Sequence, residues 1–153
     1  MKIGLFAAVL IACAGANALA QPNASLHPRV GQLAAVTFAH GSAEVVFDTN
    51  GNMAAKLNKA ASWANENPDG MIVLDGHADP IGSEPVNLRL SMERAKAVRE
   101  RLVTAGVDPD QIVIAAFGED GSRRDRSVVV WATKTGERAI VARTLRRGGD
   151  LVD

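Results

Sequence analysis

At 153 residues, with 47% hydrophobic and 22% charged positions, the chain has the length and composition of one folded domain with tails, which excludes a disordered or collagen-like polymer. Seventeen basic residues balance seventeen acidic ones, so there is no overall field to attract a polyanion, and a nucleic-acid partner has no electrostatic support.

Met1 and Lys2 give a short positive start, Ile3 to Cys13 an apolar run too short to cross a bilayer as a helix, and Ala18-Leu19-Ala20 a small-x-small cleavage site. Residues 1–20 therefore read as a secretory signal peptide. Cleavage after Ala20 removes Lys2 and Cys13, leaving one net negative charge, no cysteine and no transmembrane span, a composition suited to an oxidising compartment. The rival reading takes Leu10-Ile11-Ala12-Cys13 as a lipobox, which makes Cys13 the candidate lipidation site and the chain a lipoprotein. The early position of Cys13 and the Ala-x-Ala site after it favour soluble export, and both readings mean export.

Residues 21–34 carry Pro22, Asn23, Ser25, Pro28 and Gly31 without periodicity and read as a flexible lead-in. Between Ala35 and Phe47 lie two β-rich pieces, Val36-Thr37-Phe38 and Val45-Val46-Phe47, separated by His40-Gly41-Ser42, as in a hairpin or one bulged strand. After the turn signal Asp48-Thr49-Asn50-Gly51, the residues Met53, Leu57, Ala60, Ala61 and Ala64 recur at helical spacing up to Asn67-Pro68-Asp69-Gly70, with Trp63 at the helix edge. Met71-Ile72-Val73-Leu74 is the continuous apolar run of a strand covered on both faces, and it leads into Asp75-Gly76-His77-Ala78-Asp79. A long helix is predicted from about Asn87 to Ala105, closed by Gly106, Val107 and Pro109. Ile112 to Ala116 and Ser127 to Trp131 supply two further strands. The order β-α-β-α-β-β predicts an α/β (α+β) two-layer sandwich over residues 35–133, a mixed sheet with the helices on one face. Residues 134–153 remain as a basic tail, with Lys134, Arg138, Arg143, Arg146 and Arg147 set against Glu137, read as solvated and given no function.

The long helix holds the most informative anomaly. Its stripe at 87, 91, 94, 98, 102 and 105 follows a single face, apolar in the second half with Val98, Leu102 and Ala105, yet polar in the first half with Asn87, Ser91 and Arg94. A guanidinium turned toward a sheet is costly unless a carboxylate or ligand meets it, so this end of the helix is expected to border a cleft with an anionic partner. Asp79 leaves the preceding strand at the same end of the sheet. Asp79 and Arg94 either close a structural salt bridge or, held apart, grip a zwitterion, with Arg94 on a carboxylate, Asp79 on an ammonium and Asn87 between them.

Gly76-His77-Ala78-Asp79, Gly82, then Asn87-Leu88-Arg89-Leu90-Ser91-Met92-Glu93-Arg94-Ala95, Val98, Leu102 and Gly106-Val107 resemble the signature of the OmpA-like C-terminal domain, over roughly Val36 to Trp131. The resemblance implies a β/α sandwich that binds the diaminopimelate of the peptidoglycan stem peptide. The family's acid and arginine fall on Asp79 and Arg94, and its asparagine on Asn87. Phe47-Asp48-Thr49-Asn50 looks like the end of the family's first strand, which adds Asp48 and Asn50; His77, Ser91 and Arg126 complete the candidate set, Arg126 as the retained part of the family's Asn-Arg-Arg. The stretch from Phe47 to Pro68 looks shorter than in typical members, so the first strand could instead be Val36 to Phe38 with a longer loop after it.

The function expected is therefore non-covalent peptidoglycan binding in the periplasm, cell-wall or outer-membrane associated, with peptidoglycan and other envelope proteins as partners and no cofactor. The alternative is a periplasmic cell-wall hydrolase or metal-binding protein on the same fold. His27, His40 and His77 share no ligand-spaced motif, and no nucleophile elbow surrounds Ser42 or Ser91. Asp79 and Glu84, as paired glycosidase carboxylates, share a Pro/Gly loop with no evident means of fixing their separation. An enzyme is not expected.

Overall fold

The computed structural model describes residues 29–46, 51–119 and 125–152. Signal-peptide residues 1–20, Cys13, Asp48 and Asn50 lie outside them. The element order is β1 (Arg29–Thr37), α1 (Asn52–Glu66), β2 (Met71–Gly76), α2 (Glu84–Thr104), β3 (Ile112–Ala116), β4 (Ser127–Thr133), α3 (Glu137–Arg146) and β5 (Asp150–Val152). The strands form one mixed sheet in the order β1-β4-β2-β3-β5, with β2 and β3 parallel and the remaining pairs antiparallel.

Period-two alternation sorts the strand residues into two layers. Ala34, Val36, Ile72, Leu74, Ile112, Ile114, Val128, Val130 and Ala132 face Leu57, Ala60, Ala61 and Ala64 of α1 and Ala95, Val98 and Leu102 of α2, forming the main core. Alanines along α1 let it approach the sheet closely. On the opposite face Val73 and Val113 pack with Ile140 of α3, flanked by Met71, Trp131 and Leu151. Burial on both faces is what the unbroken apolar run of β2 required.

α1 and α2 form the helical layer expected on one face. Two ends of the chain differ from expectation. β1 starts at Arg29, inside the stretch read as flexible lead-in. Its pairing with β4 shifts register between Arg29 and Gly31 and again between Gln32 and Ala34, and such bulges erase the alternation by which a strand is recognised. Val45 and Val46 belong to no strand: Val45 is buried in the main core and Val46 is exposed. At the other end, the presumed tail folds as α3 and β5, because Ile140 has an apolar back face to cover and β3 has an edge to pair.

α2 is the element that positions the site. It starts three residues earlier than predicted, with Pro85 in its first turn, where a missing N–H costs nothing. It ends as predicted, Gly106 N–H donating to Val103 O at 2.9 Å and Val107 N–H to Leu102 O at 3.0 Å, with Val107 buried. Gly76, the last residue of β2, lets the helix lie against the strand: a Cβ there would run into the Ser91 carbonyl and approach Ala95 Cβ to 3.4 Å.

Because that obstacle is backbone, Gly76→Ala is expected to lower unfolding stability by about 2 kcal/mol, the range for overpacking a close contact. Urea denaturation checks this, and unchanged stability would mean that α2 can move off β2 freely.

Candidate functional site

At the C-terminal end of β2 the chain brings together the turn His77-Ala78-Asp79, the first half of α2, the 38–46 segment after β1, the bend after β3 and the residues entering β4. Backbone bonds hold the turn between the neighbouring strands: His77 N–H donates to Ser127 O at 2.8 Å, Ala78 N–H to Gly118 O at 2.6 Å, and Phe117 N–H to Gly76 O at 2.9 Å. Asp79 is thereby fixed on backbone with little freedom.

The polar half of the α2 stripe is buried as predicted, with Asn87 1%, Ser91 0% and Arg94 0% exposed. What meets Arg94 differs from expectation. Its Nε donates to Ser42 O at 2.8 Å, Nη1 to His77 O at 3.1 Å and Nη2 to Ala39 O at 3.3 Å, while the Phe38 ring centre lies 5.5 Å from the guanidinium carbon. Three carbonyls and an aromatic face meet it, not the Asp79 carboxylate of the salt-bridge alternative, and they satisfy a buried cation by hydrogen bonds at every nitrogen. One N–H on each Nη lies outside these bonds. Burial pulls the Arg94 pKa down from its ordinary value, the Asp79 charge opposes this, and the Arg126 charge adds to it; the group remains cationic.

Asp79 pairs with Arg126 rather than with Arg94. Arg126 Nη1 donates to Asp79 Oδ2 at 3.0 Å, its Nε to Phe38 O at 3.1 Å, and its side chain is 44% exposed against 10% for Asp79. His40 Nδ1 stands 3.5 Å from the same Asp79 oxygen. Burial alone would raise the Asp79 pKa; the hydrogen bonds from Arg126 and His40, with the charges behind them, outweigh it and hold the carboxyl below its ordinary value.

Asn87, expected between acid and base, instead donates through Nδ2 to Glu119 Oε2 at 2.6 Å. Ser91 Oγ donates to Leu88 O at 2.7 Å and accepts from Gly118 N–H at 3.0 Å, so its hydroxyl docks the bend after β3 onto α2. His77 is buried, its ring stacked on Phe117 at 5.4 Å, and it serves Arg94 through its carbonyl. Asp79, Arg94 and Arg126 therefore meet, Asn87 joins through Glu119, and Ser91 and His77 support the frame. Sequence reasoning missed His40 and Glu119 as site residues, as well as the Ala39 and Ser42 carbonyls. Nothing local marks them, because each acts on a partner 32 to 55 residues away or from a turn that reads only as a β-break. Among the described residues no group of three His, Cys, Asp or Glu side chains is placed to hold a metal ion, and no helix is long and apolar enough to cross a membrane.

Comparison with known proteins bears on this arrangement. The peptidoglycan-binding protein ArfA of Mycobacterium tuberculosis is 39% identical over 62 residues, 40% of this chain and 19% of the relative. The peptidoglycan-associated lipoprotein of Rhizobium meliloti is 32% identical over 81 residues, 50% of this chain and 46% of the relative. The chain thus spans less than half the length of these relatives. Among solved structures, the peptidoglycan-associated lipoprotein from Burkholderia pseudomallei superposes with a TM-score of 0.54 at 24% identity, over 65% of this chain and 89% of that one. The C-terminal domain of Helicobacter pylori MotB gives 0.54 at 17% identity, over 74% and 95%. At these identities the two structures speak for the fold. Residues 37–131, more than half of the chain and the segment that holds Asp79, Arg94 and Arg126, match the OmpA family, to which this protein belongs.

Proposed function

We propose that the chain binds peptidoglycan non-covalently through the diaminopimelate of the stem peptide, on the periplasmic side of a bacterial cell envelope, and that it acts as a tether or organiser there rather than as an enzyme. The observation that carries this reading is an ionised carboxylate, Asp79, at the outlet of β2, with a half-exposed guanidinium, Arg126, bonded to it and a buried one, Arg94, bonded to the carbonyl of His77 in the same turn. That is the complement of an ammonium and a carboxylate borne on one carbon, the group that distinguishes diaminopimelate from lysine. Among the described residues both contacts to Asp79 fall on Oδ2, and Oδ1 is the acceptor assigned to the ammonium. Arg126, half exposed, takes the carboxylate from the surface, the buried Arg94 adds its charge without an exposed surface of its own, and Asn87 borders them. The names of the curated relatives, a peptidoglycan-binding protein and peptidoglycan-associated lipoproteins, support peptidoglycan as the ligand. A hydrolytic role is not favoured, because an acid held ionised by an arginine is a poor proton donor near neutrality. The signal peptide read over residues 1–20 agrees with export, and either export reading delivers the domain to the wall.

Titration calorimetry of the purified protein with a diaminopimelate stem peptide is expected to give binding, and the lysine counterpart little or none. Asp79→Asn is expected to weaken binding by about 2 kcal/mol or more, roughly thirtyfold, the range for removing one half of a desolvated charge pair. No heat with either peptide from a folded sample would overturn the proposal.

The ionised state of Asp79 has an independent check. A carboxyl with a folded pKa below its unfolded value adds stability above about pH 4, the unfolded value, and loses it as pH falls through the folded one. Below pH 4, wild-type stability is therefore expected to fall more steeply with acid than that of Asp79→Asn, as read from urea unfolding at a series of pH values. Parallel profiles would show that Asp79 gains nothing from its partners.

A further inference from the structure

His40 stands at the mouth of the site without belonging to any motif that points there. Its backbone is held firmly: Arg94 bonds the carbonyls of Ala39 and Ser42 on either side of it, and Arg126 bonds Phe38 O while Phe38 N–H donates to Arg126 O at 2.8 Å. Its ring is 63% exposed, yet Nδ1 lies 3.5 Å from Asp79 Oδ2, the oxygen that already accepts from Arg126 Nη1. The imidazole is thus presented to the Asp79 carboxylate from a rigid support.

We propose that His40 sets how tightly the ligand ammonium is held at Asp79: uncharged, it leaves the carboxylate to the ammonium; protonated, it competes for that carboxylate and repels the ammonium, so attachment weakens as the surroundings acidify. This rests on the reading of Asp79 as the ammonium acceptor. Among the described residues, the charged groups near His40 are Asp79 from the outlet of β2, Arg126 from the entry to β4, Arg94 from α2 and, on its own segment, the exposed Glu44. Guanidinium groups do not titrate near neutrality, and Asp79 is held ionised. Imidazoles change charge between about pH 5 and 8. The other imidazole nearby, His77, is buried with its ring against Phe117. A third cation on a carboxylate flanked by two guanidinium groups acts on the ammonium at close range and through partial screening only.

The test is calorimetric titration of the diaminopimelate stem peptide at pH 7.5 and pH 5.5 into wild-type protein and into His40→Gln, with thermal unfolding recorded for both at both pH values. The ammonium and carboxylates of the peptide keep their charges over this range. Wild type is expected to bind about fivefold more weakly at the lower pH, and His40→Gln to bind equally at both, as for an ion pair at a partly exposed site. A wild-type affinity that does not change with pH, or a loss in His40→Gln equal to that of wild type, overturns the assignment to His40 and leaves the Asp79 site standing. Absence of binding by wild type at pH 7.5 overturns the Asp79 reading and this one with it.

Discussion

The arrangement depends on one buried positive charge. Arg94 reaches from the middle of α2 to carbonyls on two other segments, and those carbonyls lie 17, 52 and 55 residues away in sequence. Each bond carries full cationic strength in a medium of low polarity, so the guanidinium sets the distance between helix, strand outlet and the segment after β1. Without it, the Ser42 and His77 carbonyls would lose this donor, Ala39 O would keep only the Ser42 N–H at 3.2 Å, and the 38–46 segment would have no polar tie to α2 at these points. Whatever the site binds, its walls are spaced by this side chain.

From that constraint follows an uneven electrostatic landscape. Among the described residues, two guanidinium groups and the Asp79 carboxylate gather at the outlet of β2, with Glu119 beyond Asn87, and Arg126 is the half-exposed member of the Asp79 pair. A molecule bringing both an anion and a cation would swap one ion pair for two and strip little extra water, whereas a singly charged one would leave one of the protein's charges poorly matched. A site of this kind would select by the pairing of charges as much as by shape.

The central elements were legible because their signals are local and periodic. The change along the stripe from Val98 and Leu102 to Asn87, Ser91 and Arg94 announced a polar cleft at one end of α2, and the continuous run from Met71 to Leu74 announced a strand buried on both sides. What could not be read depends on pairing through space. The bulges of β1 hide its start, and α3 and β5 are short enough to look like a charged tail until the back of the sheet is there to receive Ile140. Arg126 was a candidate only through a partial motif, and the pairing of His40 with Asp79 has no trace in spacing, since it arises from how the segment after β1 folds over Arg94. That carbonyls meet Arg94 has the same origin: backbone acceptors carry no sequence signature.

The irregular first strand also bears on how the molecule behaves at high local concentration. β1 and β5 are the two outer strands of the sheet. The first is interrupted twice in its register and the second is three residues long. Neither offers the long, flat row of unpaired amides on which a second chain could add a strand. Bulged and short outer strands disfavour such addition, and here the bulges are the same ones that disguise β1 in the sequence.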